Sequence, residues 1–116
     1  MTTHQPRALS PVAVLMHVHH LLGRAQAEAT HRARTTGDLA AVDLAFALTC
    51  LHGQVLDLLP EPARHVLSHV PQASGVDPVV LARQAEEATR ALPSQELPPG
   101  AITLVVRLID TVRNFS

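Results

Sequence analysis

Residues 38–59 read DLAAVDLAFALTCLHGQVLDLL. On a helical wheel Val42, Leu44, Ala45, Phe46, Leu48, Leu51, Val55, Leu56, Leu58 and Leu59 spread over well more than half of the circumference. Only Asp43, Cys50, Gln54 and Asp57 define a narrow polar strip. A surface helix carries an apolar stripe of roughly 100° or somewhat more, whereas one apolar around most of its circumference is packed on several sides. The stretch is therefore expected to be the central helix of a small all-helical domain.

The rest of the chain supplies helices to surround it. Residues 1–9 have no periodicity and read as a flexible N-terminal tail, which leaves 10–116 as a single helical-bundle domain. Ser10-Pro11 is a hydroxyl N-cap followed by proline at the first helical position. The helix it opens is expected to run to about residue 34. Val14, Leu15, Val18, Leu21, Leu22, Ala25 and Ala29 form its buried arc, with His17, His20, Arg24, Glu28 and His31 on the opposite face. Gly37 suits the residue after a helix and Asp38 the cap of the next, so the two helices are joined by a short turn and lie antiparallel.

Pro60 and Pro62 end the central helix and open a short one, expected over 61–70 and stopped by Pro71. Asp77-Pro78 is a second cap-plus-proline start. It opens a helix over 78–92 that buries Leu81, Ala85, Ala88 and Leu92. The proline-rich run PSQELPPG (93–100) connects to the last element, 101–115. Its opening ITLVV is strand-like. Thr103, Arg107, Asp110 and Asn114 nevertheless recur at helical spacing, with Ile102, Val105, Val106, Ile109 and Val112 opposite, and this favours a helix. The expected fold is all-α, an up-and-down bundle of four main helices plus one short one.

Composition removes several function classes. The 116 residues carry a formal net charge of −1, with 47% hydrophobic and 16% charged side chains, so neither nucleic acid nor an anionic membrane is attracted electrostatically. All cations are arginine; without lysine, Schiff-base and P-loop chemistry are excluded. Phe46 and Phe115 are the only aromatics, too few for a base-stacking platform. The single Cys50 forbids an intramolecular disulfide and a cysteine-cluster zinc site, and inside the central helix it reads as a small apolar residue. The N-terminus lacks the pattern of a signal peptide, and the longest uncharged apolar run, 44–56, is too short to span a bilayer, so a cytoplasmic location is expected. A recognition helix over 78–92 would carry Glu86 and Glu87 where phosphates lie, so nucleic acid is not an expected partner.

Eight histidines leave three sites to weigh. On the first helix His17 and His20 lie three apart, and Glu28 and His31 form a Glu-x-x-His pair that resembles half of the carboxylate-bridged di-iron signature of ferritin-like bundles. With Arg24 they make a ligand-binding face; His17, His20, Glu28 and His31 are its alternative metal ligands. No cofactor is expected, because the second Glu-x-x-His is missing. Arg64-His65-Val66-Leu67-Ser68-His69 resembles the Arg-x4-6-His motif of HEPN ribonucleases. That resemblance implies proton transfer by His69 at a ribose 2′-hydroxyl and charge stabilisation by Arg64. Arg24 and His31 match the same spacing. His52, in the middle of the central helix's apolar arc, reads as a neutral core histidine bonded to a carbonyl or carboxylate, or else as a pocket residue.

The leading expectation is a non-enzymatic protein–protein interaction module, an accessory or regulatory subunit that is homodimeric and also meets an unidentified protein partner. It rests on more apolar surface than a bundle this small can bury. The alternatives are the HEPN-like ribonuclease and a metal or small-molecule binder.

Overall fold

The computed structural model describes residues 10–66, 74–93 and 97–116. It is all-α, with helices α1 (Pro11–Thr36), α2 (Leu39–Leu58), α3 (Glu61–Val66), α4 (Pro78–Thr89) and α5 (Ala101–Phe115). The turn chemistry acts where the residues place it. Ser10 Oγ accepts from Ala13 N at 3.1 Å, and Asp38 and Asp77 each accept from the backbone N–H two residues on. Gly37 closes α1 at φ 66°, a left-handed conformation that glycine adopts without steric cost.

The arrangement of the helices departs from the expected up-and-down order. α1 packs on α2 and α4, and α5 closes the bundle between α2 and α4. The start of α4 meets the second half of α1, since Ser74 and Gly75 donate to Glu28. Arg83 Nη2 of α4 reaches Ser116 Oγ at the end of α5 at 3.3 Å, so these two are antiparallel. Gly100, at the start of α5, lies beside Leu58, at the end of α2. Every adjacent pair is thus antiparallel, but the order along the chain is up, down, down, up. The end of α2 and the start of α4 therefore lie at opposite ends of the bundle, because α2 and α4 occupy diagonal corners and point the same way.

The most extensively buried helix is α1. Ten of its residues are buried against five of α2. The core runs from Leu15, Val18 and Leu22 of α1 through Leu48 and Val55 of α2 to Leu81 and Ala85 of α4 and Leu104 and Leu108 of α5. The broad apolar circumference of α2 had marked it as central, yet it buries only the Ala41, Leu44, Leu48, Leu51, Val55 side. Leu39 is 77% exposed, Val42 46% and Phe46 72%. Cys50, on the narrow polar strip, is exposed as well.

The apolar arc of α5 is likewise covered only in part. Ala101, Leu104, Leu108 and Thr111 are buried, while Ile102 and Val106 face outward. The buried positions recur at three, four and three residues, the spacing that keeps one seam against a neighbouring helix. By length and composition α2 could cross a membrane: it has 20 residues and a mean hydropathy of 1.6, and Asp43 and Asp57 do not interrupt it enough to prevent this. The expectation of too short a run holds only for its uncharged segment.

Candidate functional site

The expected polar face of α1 divides in two. His17, His20 and His31 are exposed. Glu28 is only 2% exposed. It accepts from the backbone N–H of Ser74 and, at 2.6 Å, from that of Gly75. Arg24 Nη2 approaches Ser74 Oγ at 3.4 Å. Burial raises the Glu28 carboxyl's pKa, but the Ser74 and Gly75 donors and the nearby Arg32 charge outweigh it and leave it below its ordinary value. Glu28 therefore fastens the segment leading into α4 onto α1. It is not a solvated ligand, because α4 covers the flank of α1 that α2 leaves free. Among the described residues no three histidine, cysteine or acidic side chains converge as metal ligands.

Of the ribonuclease-like pair, His69 lies outside the described residues. The guanidinium of Arg64 is engaged, its Nε donating to the Leu59 carbonyl at 2.9 Å and its Nη2 to that of Asp57 at 3.1 Å. Those carbonyls lie at the end of α2, where helix geometry leaves acceptors without partners, and Arg64 satisfies them.

The histidine that the structure does bring to a shared site is His52, and its partner is His19 of α1, a residue the sequence reading passed over. The two rings stack with centroids 4.0 Å apart and planes inclined by 30°. His19 is buried, and His52 Nε2 is enclosed with no hydrogen-bond partner, in contrast to the expected carbonyl or carboxylate contact. Burial, then the neighbouring His52 and His20, lower the His19 pKa from 6.5 to about 4; burial lowers that of His52. Both rings are thus neutral at physiological pH. His19 follows Leu15 by four residues and Leu22 by minus three, which puts it on the margin of the buried arc, and that periodicity was the available signal.

Surface depressions among the described residues include two beside α2. A cleft of about 520 Å³ lies among the end of α1, the starts of α2 and α4 and Phe115 of α5. Its carboxylates, Asp38 and Asp77, are committed to capping their own helices. A shallower groove of about 280 Å³ separates α2 from α5 beside Cys50, Gln54, Arg107 and Asp110. Compared with protein-family models, with curated proteins and with solved structures, the chain matches none.

Proposed function

We propose that the protein is a non-enzymatic interaction module that pairs with a second copy of itself through the outward face of α2. The observation that carries this reading is the row of Leu39, Val42 and Phe46, three large apolar side chains exposed on one helix face. Burying such side chains is worth about 1.5–3 kcal/mol each, so an uncovered row favours association. The C-terminal half of the same face carries Thr49, Cys50 and Gly53, all exposed and small, and a side-chain carbon placed on Gly53 would meet open space. Two α2 helices related by a two-fold axis and running antiparallel would set each large half against the other's small half, the self-complementarity that an isologous interface requires. Asp43 lies within the row and is exposed, which suits a wet protein interface.

Light scattering coupled to size exclusion tests the reading. The wild type is expected at twice the chain mass and Phe46→Asp at the chain mass, with unchanged helix content by circular dichroism. A monomeric wild type, or a Phe46→Asp dimer, would sink it. A dimer broken by Val106→Asp but not by Phe46→Asp would transfer the interface to α5, where Ile102 and Val106 are also exposed.

A further inference from the structure

The stacked histidines join the flanks of α1 and α2, and the surroundings of the pair offer a proton nothing to balance it. Positions 15, 16, 22 and 23 on α1, and 48, 49, 55 and 56 on α2, are those one helical turn from either ring, and none is ionisable. The titratable neighbour acting on His19 besides His52 is His20, itself a potential cation. On α3 Glu61 is exposed and Arg64 is bound to carbonyls of the α2 terminus. Arg107 and Asp110 of α5 lie in the groove with Gln54, on the other flank of α2. Among the described residues, then, no carboxylate is placed to accept from a protonated ring, and the enclosed His52 Nε2 has no acceptor to which it could donate.

We propose that the His19–His52 contact is an acid-sensitive fastening of the α1–α2 seam, closed while both rings are neutral and opened by a proton on either one. Two stacked rings attract as flat, weakly polar surfaces, whereas a charged ring repels any further charge beside it and must reach water to be solvated. The route to water is short, because the pair lies at the edge of the core and His20 next to it is already exposed. Protonation therefore parts the helices locally instead of unfolding the bundle outright. The lowered pKa of both rings agrees with this direction. The device is independent of whether α2 also forms the dimer face.

The test is amide hydrogen exchange at about pH 7.5 and about pH 5, corrected for the intrinsic pH dependence of exchange. Peptides from the seam (residues 14–25 and 48–58) are expected to exchange on the order of tenfold faster at the lower pH in the wild type. The increase should vanish in His19→Phe and in His52→Phe, which keep an aromatic ring that takes no proton. No acid-induced increase in the wild type, or the same increase in both variants, overturns the proposal. Should a phenylalanine variant fail to fold, ring-proton titration of the wild type by NMR decides instead. Both rings titrating near about 6.5, without any shift of the seam amides, also overturns it.

Discussion

Glu28 follows Arg24 by four residues and precedes His31 by three, so on a wheel it is one more polar position on a face away from α2. In the folded chain it is buried and holds two backbone N–H groups. Charge-assisted bonds of this kind contribute about 1.5–3 kcal/mol, and a partner removed from a buried donor leaves that donor's desolvation uncompensated. Glu28→Gln is therefore expected to lower unfolding stability by about 1–3 kcal/mol in a denaturant titration. Glu28→Ala should cost more, since neither N–H then has an acceptor. The carboxyl's pKa is depressed by folding, so its contribution is present above its unfolded value and fades as pH falls through the folded one.

His19 works in the opposite direction along the pH scale. The unfolded chain binds its proton near pH 6.5 and the folded chain only near 4. Between those values the unfolded state holds more protons, so stability rises with pH across the window and falls as the solution is acidified from 6.5 towards 4. The loss amounts to as much as about 3 kcal/mol for this one ring. Thermal melts between pH 7.5 and about 4 should show it, and His19→Phe should flatten the profile. An unchanged slope in that variant would assign the effect to other groups.

At the scale of elements, the helices themselves follow from local chemistry. Ser10-Pro11, Gly37-Asp38 and Asp77-Pro78 start and stop them within a residue or two of the expected positions. Which side each helix buries does not follow as readily. α5 is apolar at enough positions that Ile102, Val105, Val106, Ile109 and Val112 compete with Leu104 and Leu108 for the inner side, and packing between α2 and α4 selects the leucines. Leu108→Ala is accordingly expected to destabilise the bundle by about 2–5 kcal/mol, while Ile102→Ala costs well under about 1 kcal/mol. Comparable losses from both would contradict the observed orientation of α5.

At the scale of the whole molecule, the outward row on α2 ties stability to concentration if it pairs two chains. The wild type's melting temperature should then rise with protein concentration, because association draws on the folded state alone. Phe46→Asp should melt at one temperature over the same range. A concentration-independent wild type would argue against the pairing whatever the variant does.

The all-helical class, the helix starts, the α1 core positions and the short turn between α1 and α2 were determined by the sequence alone, because caps, prolines and periodicity act over a few residues; α4 ends at Thr89, short of the expected residue 92. The tertiary structure decided three further features: α1 is buried more extensively than α2, α2 and α4 stand at diagonal corners, and His19 meets His52. Periodicity records how much of a helix is apolar but not how much of that surface its neighbours cover. α2 has enough apolar surface for a central position, yet its outward face is left uncovered. The wheel of α1 shows a polar flank at Glu28 because the donors that satisfy it come from residues 74 and 75, far along the chain. Contacts between distant residues depend on where α4 packs against α1, and no local pattern encodes that.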